Sequence, residues 1–315
     1  MNTTNKRSRR AVPRALPTQA GPILLATDGS PDAELARNAV GQLQRALHAG
    51  VHVVHCWMPV ISAYGPAGVL PVDVVEVYEA PAAWVLADEV AALKRRKVVA
   101  EGTHLLEGRA TDLVPDLALE LGARLIVIGS RGLGTIKRLV LGSVSEGIVH
   151  TTHTPVLVVR GEKRAWPPTD IIVGDDGSAE SRLAASAAAS IATATGARLR
   201  IVHVIPAAWK DASSPGQARV MAAASAAAEA TVEEIADEVE RTYGFRPTTS
   251  VLVGDATAKL VSQAAKTRVP AMLAVGSRGL GAVQRLALGS VSTKILRAAP
   301  GAVLVCPHPA SRTRS

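Results

Sequence analysis

Residues 129–145 read GSRGLGTIKRLVLGSVS, and residues 276–292 read GSRGLGAVQRLALGSVS; thirteen of the seventeen positions are identical. The residue types in this phrase suit an anion. Gly129 and Gly132, like Gly276 and Gly279, let a main chain come close to a ligand with no Cβ in the way. Gly142 and Gly289 each precede a serine that would open a helix, and a helix start offers unpaired N–H groups and the positive end of a dipole. Arg138, with Lys137 beside it, and Arg285 add cationic charge. A polyphosphate uses all of these features at once.

A second repeated group is acidic. ILLATDGS (23–30) parallels IIVGDDGS (171–178), so Asp28 and Asp176 are expected at the ends of equivalent strands. A carboxylate there can accept hydrogen bonds from ribose hydroxyls or hold Mg²⁺ against phosphate. The competing reading of the glycine phrase is structural: Ser143 and Glu146 form an S-x-x-E capping box that needs no ligand. The second copy reads SVST and lacks the glutamate, while glycines, serines and arginine are kept, which favours the anion.

Elements must bring these groups together. Asp28 to His55 and Asp176 to His203 are both 27 residues, and the halves correspond along their whole length, so the chain is two copies of one domain. The expected divisions are a disordered basic tail at 1–20, domain 1 at 21–162, a linker at 163–168, domain 2 at 169–309 and a short tail at 310–315. In the second half, strands at 170–174, 198–205, 248–253, 271–276 and 302–306 alternate with helices near 179–195, 216–242, 256–267 and 290–298. Alternation of this kind implies an α/β fold, a doubly wound parallel sheet covered on both faces. In the first half, residues 58–75 read as a Pro/Gly/Val-rich loop and only 81–97 as helix. Ligands of such sheets bind outside the carboxyl ends of the strands.

The totals narrow the function. The 315 residues suit two domains, and no apolar run reaches the length of a membrane span, so a cytoplasmic protein is expected. Of the net charge of +8, Lys6, Arg7, Arg9, Arg10 and Arg14 supply five, leaving +3 on the body, so nucleic acid is not the expected partner. Cys56 and Cys306 sit in no metal or redox spacing and read as reduced, buried thiols. His55 and His203 read as satisfied structural histidines, and the His150/His153 pair is not repeated in the second half. No G-x-x-x-x-G-K-[ST] occurs, and no second repeated carboxylate lies near the phrase, so an enzyme with fast hydrolysis is not expected.

The pattern G-x-x-G-x₉-G-[ST], met by Gly129, Gly132, Gly142 and Ser143 and again by Gly276, Gly279, Gly289 and Ser290, with Asp28 and Asp176 and the VVH and IVH strands, resembles the universal stress protein family in tandem form. The resemblance covers about residues 21–309. It implies five-stranded, Rossmann-like domains of strand order 3-2-1-4-5, ATP between strands 1 and 4, and dimerisation through the last strand. By position it assigns the adenosine moiety to Ala26, Asp28 and Val51, and to Gly174, Asp176 and Leu199. It assigns the phosphates to Gly129, Ser130, Arg131, Gly132, Leu133, Gly134, Arg138, Gly142, Ser143, Val144 and Ser145, and to Gly276, Ser277, Arg278, Gly279, Leu280, Gly281, Arg285, Gly289, Ser290, Val291 and Ser292. Arg124 and Ala271 stand where the family often has an acid. Gln284 opposite Lys137 predicts tighter ATP binding in the first half. The implied role is a nucleotide-dependent regulator in stress responses. A slow ATPase or autophosphorylating protein, with Ser143 or Ser145 as acceptor, and a nucleotide-free interaction protein remain alternatives. The last strands, 156–159 and 302–306, could pair within one chain as a pseudo-dimer or between two chains as a homodimer.

Overall fold

The computed structural model describes residues 21–59, 72–131, 141–161, 166–206, 215–267, 269, 271–278 and 288–308. The two tails and Gly132, Leu133, Gly134, Arg138, Gly279, Leu280, Gly281 and Arg285 lie outside them, as do Lys137 and Gln284.

The first half runs β1 (Ile23–Ala26), α1 (Pro31–Leu47), β2 (Val51–Trp57), α2 (Val72–Arg95), β3 (Gly102–Glu107), α3 (Ala110–Glu120), β4 (Leu125–Gly129), α4 (Ser143–Thr151) and β5 (Val156–Val159). The second repeats it as β6 (Asp170–Asp175), α5 (Ala179–Thr195), β7 (Arg198–Ile205), α6 (Pro215–Tyr243), β8 (Thr248–Val253), α7 (Ala256–Ala265), β9 (Met272–Gly276), α8 (Ser290–Ala298) and β10 (Val303–Cys306). The central strands are short apolar runs such as ILLA and VLVV, buried on both faces, as strands between two helix layers must be. Helix starts are written locally: the Ser30 and Ser178 hydroxyls accept the N–H of Ala33 and Ser181 at 3.2 and 3.1 Å. The sequence misplaced one boundary. Helix α2 begins at Val72 and runs through Pro81, which sequence reading took as a helix start. Its β-branched run at 72–77 masks helical character, and a proline removes one main-chain bond without having to end the helix.

Within each half the strand order is 3-2-1-4-5, and the two meet in one ten-stranded sheet, β3-β2-β1-β4-β5-β10-β9-β6-β7-β8. All pairings inside a half are parallel. The seam is antiparallel: Leu157 faces Leu304, flanked by Val158 with Val303 and Val156 with Val305. The last strands therefore do pair within one chain. Antiparallel joining also turns the carboxyl ends of the two halves toward opposite edges of the sheet. One core packs α1, α2, α5 and α6 on one face, and the other packs α3, α4, α7 and α8 on the reverse; both run unbroken through the seam.

Candidate functional site: two clefts at opposite edges of the sheet

At the carboxyl ends of β1 and β4 the chain leaves to opposite faces, and a cleft of about 440 Å³ opens there. Its counterpart at β6 and β9 measures about 350 Å³. Both fall in the size range of small-molecule sites. The first is floored by Ala26, Val54, Cys56 and Val114, the second by Gly174, Val202, Val204 and Leu260. The floors are matched by exchange of volume: a Cβ on Gly174 would lie 2.7 Å from Leu260 Cδ1, whereas the first half has Ala26 with the shorter Val114.

Val51 and Leu199, expected beside the adenosine, are elsewhere. Val51 pairs with Ile23 and Leu199 with Ile171, at the amino end of the strands, and both are buried in the core beneath α1 and α5. The side chains that reach the clefts lie three and five positions further along, because the cleft takes the carboxyl ends and the opposite face of the pleat. A strand's alternation was visible in the sequence; which end and face met a ligand was not.

Asp28 and Asp176 line the clefts as expected, although each follows its strand rather than closing it. One oxygen of each accepts the N–H two residues on, from Ser30 at 3.0 Å and Ser178 at 3.1 Å. The other oxygen has no partner among the described residues and is available to a hydroxyl donor.

Gly142 and Gly289 are the N-caps of α4 and α8, with extended backbones and no side-chain cap. The competing capping-box reading is therefore not the one the helix start adopts. Ser143 is the first residue inside its helix, and Glu146 reaches across the seam to the Arg297 guanidinium of α8. Helix α3 has no side-chain cap at Arg109, whereas Ser30, Ser178 and Asp255 each accept one first-turn N–H of α1, α5 and α7. Helices α4 and α8 present theirs to the clefts, the arrangement an anion uses. Ser143 and Ser290 are exposed there, as are Val144 and Val291. Ser145 and Ser292 also line the clefts, but their hydroxyls donate to the Gly129 and Gly276 carbonyls at 2.8 and 2.6 Å. They tie each helix start to the end of its strand.

The glycines ending β4 and β9 have a different reason from the one expected. A Cβ on Gly129 would lie 2.7 Å from the Asp32 carbonyl carbon and 2.9 Å from Ala33 N; on Gly276 it would lie 2.7 Å from Glu180 Cβ. The missing side chain makes room for the first turn of α1 or α5.

Next to these glycines the halves diverge. Arg131 borders the first cleft with its guanidinium engaged, Nε to Asp32 Oδ2 at 3.1 Å and Nη2 to Oδ1 at 3.2 Å. Ser130 points the same way and donates to Asp32 at 2.6 Å, so it does not face the cleft. In the second half Glu180 replaces Asp32, and its longer side chain accepts from His308 Nδ1 at 3.0 Å. Among the described residues the buried Ser277 hydroxyl has no partner, and Arg278, which borders the second cleft, forms no ion pair.

Sequence reading missed a layer behind the clefts. Thr27, before Asp28, donates to the buried Glu89 of α2 at 3.1 Å, and Glu89 pairs with Arg37 of α1 at 2.9 Å. Burial pushes the Glu89 carboxyl up, opposed by Arg37 and Thr27. The second half has Asp175 in place of Thr27. It accepts from Ser181 Oγ at 2.6 Å, His203 Nδ1 at 3.1 Å and Gly177 N at 3.1 Å. Burial alone would raise this carboxyl; the hydrogen bonds outweigh it and hold it below the usual carboxylate range. The doubled Asp175–Asp176 was the available signal. Ser181 touches the carboxylate and not the imidazole, so these three groups do not form a nucleophile–base pair. His55 bonds the Thr27 carbonyl at 2.8 Å. Both repeated histidines are thus satisfied, as expected. The half-buried Cys56 thiol is pushed up to about 11 by burial, and no described helix is long and apolar enough to cross a membrane.

Comparison with known proteins bears on the fold and the family. A universal stress protein of Mycobacterium tuberculosis is 34% identical over 190 residues, 58% of this chain and 61% of its own length. The chain thus matches about three fifths of the length of such relatives. A universal stress protein of Mycolicibacterium smegmatis is 27% identical over 303 residues, 90% of this chain and 96% of its own. The crystal structure of a universal stress protein from Archaeoglobus fulgidus superposes with a TM-score of 0.67 at 22% identity, covering 92% of this chain and 99% of that one. The model of the universal stress protein family matches twice, over residues 20–160 and 169–307. Two successive matches that together take in nearly all of the duplicated sequence make this chain a member of the universal stress protein family.

Proposed function

We propose that the protein is an ATP-binding regulator in the stress response, acting in the cytoplasm, with one nucleotide site per half. The observation that carries this reading is the pair of clefts into which two helices, α4 and α8, start without a side-chain cap. Adenine fits over the apolar floors. The unpartnered oxygen of Asp28 or Asp176 suits a ribose hydroxyl, and the helix starts at Ser143 and Ser290 suit phosphate. Mg²⁺, when bound, would screen phosphate charge beside those aspartates. Binding without rapid turnover is supported by how the acids near the clefts are used: Asp32, Glu89, Asp175 and Glu180 are all engaged by arginine or histidine. The β5–β10 pairing supports the intramolecular pseudo-dimer as the working unit.

Calorimetric titration with ATP, with and without Mg²⁺, tests the reading. Two sites per chain are expected, and ATP should remain intact. Absence of binding at millimolar ATP would overturn it. Accumulation of ADP that Asp28→Ala abolishes would replace it with a slow ATPase.

A further inference from the structure

The clefts differ in what balances the acids around them. At the first cleft the balance is arginine: Asp32 with Arg131, and Glu89 with Arg37. At the second it is histidine: Asp175 with His203, and Glu180 with His308. Guanidinium stays charged at any physiological pH, whereas imidazole is the side chain that changes charge between pH 5 and 8. Resting on the nucleotide reading above, we propose that the second cleft is a pH-governed phosphate site, filled preferentially when His203 and His308 are protonated, while the first cleft, whose acids pair with arginine, has no such histidine–carboxylate switch.

Asp175 lies directly before Asp176 at the second cleft, and its carboxylate is fully buried. A neutral His203 leaves that negative charge uncompensated beside incoming phosphates; a protonated one cancels it. The His203 side chain is 20% exposed, so protons reach it. By the pleat it lies on the face covered by α5 and α6, since Ile201 packs there and Val202 on the reverse. On that side Asp175 faces it from β6, and α5 adds Ser181 on the same carboxylate. The covering helices carry Arg182 and Glu234 as a mutual pair at 2.8 Å. Strand β8 brings Val251 alongside, and α7 is on the opposite face.

Glu180 acts in the same direction. While His308 is charged, it compensates the Glu180 carboxylate at 3.0 Å. When that charge is lost, the Glu180 carboxylate beside Gly276 is left uncompensated. The first cleft has no equivalent: His55 bonds a main-chain carbonyl and is within ion-pair reach of no carboxylate among the described residues.

Each cleft is isolated by placing a carboxylate where phosphate would sit. Ser143→Glu blocks the first and Ser290→Glu the second, both at exposed positions that tolerate an acid in the first helical turn. ATP is titrated calorimetrically into each variant at pH 6.0, 7.0 and 8.0. The γ-phosphate titrates in this range too, so the first cleft is the reference. One unit charge at a cleft wall changes affinity by roughly fivefold. The second cleft should therefore weaken by about fivefold or more from pH 6 to 8 relative to the first. His203→Gln, whose amide can still donate to Asp175, should remove most of that slope. Equal slopes in the two clefts would overturn this proposal and leave the nucleotide reading intact. No binding to either variant or to the unaltered chain would overturn both. The comparison of clefts requires no change at His203, so it stands even if that variant folds poorly.

Discussion

Gly129→Ala separates two explanations of the same residue. If the glycine clears space for a ligand, alanine should weaken ATP binding and leave stability alone. The structure points the other way. The new Cβ would fall 2.7 Å from the Asp32 carbonyl carbon, 2.8 Å from its oxygen and 2.9 Å from Ala33 N. All three are main-chain atoms of the first turn of α1, so no side chain can rotate aside. Either α1 or the end of β4 must shift by several tenths of an ångström. Overpacking of this kind costs about 1–3 kcal/mol. At about 3 °C per kcal/mol for a domain of this size, a 2 kcal/mol loss lowers the melting temperature by ~6 °C. Gly276→Ala should cost about as much, since Glu180 Cβ at 2.7 Å, Glu180 C at 2.9 Å and Ser181 N at 3.0 Å are all fixed by the main chain of α5. Thermal and urea denaturation, followed beside ATP titration, check this. An unchanged midpoint with lost ATP affinity for Gly129→Ala would refute the packing argument.

Three further outcomes follow from the geometry. Ser145→Ala removes the donor to the Gly129 carbonyl and should destabilise by about 1 kcal/mol in urea, whereas Ser143→Ala, exposed and inside the first turn, should be near neutral. Glu146→Gln breaks the α4–α8 bridge to Arg297; because Arg297 is well exposed, the loss should be no more than about 1 kcal/mol at low salt and fade at high salt, measured by denaturation at two ionic strengths. Asp175 has its carboxyl held below the ordinary value, so its contribution is present above the unfolded pKa, near 3.9, and lost as pH falls through the folded one. Urea midpoints measured from pH 6 down to 2.5 should fall less steeply for Asp175→Asn than for the unaltered chain.

The sequence by itself determined the duplication, the α/β alternation and the identity of the helix starts that face the clefts. Those features are local: a repeat, a run of apolar residues or a glycine before a serine is complete in the chain itself, and helices such as Ala179–Thr195 and Ser290–Ala298 fell where their caps and turns put them. Helix α2 was only partly legible, because its β-branched start and Pro81 contradict the local rules that tertiary packing overrides. At the site, Asp28, Asp176, Gly142 and Gly289 could be read from spacing, whereas Val51 and Leu199, assigned by the resemblance, lie in the core instead. Spacing along a strand does not say which end or face meets a cleft. Tertiary structure alone decided which partner each charge takes. Arg131 goes to Asp32, Glu146 crosses the seam to Arg297, and Glu180 and Asp175 go to histidines, because each pair joins residues far apart in the chain whose distance is set by how helices lie on the sheet.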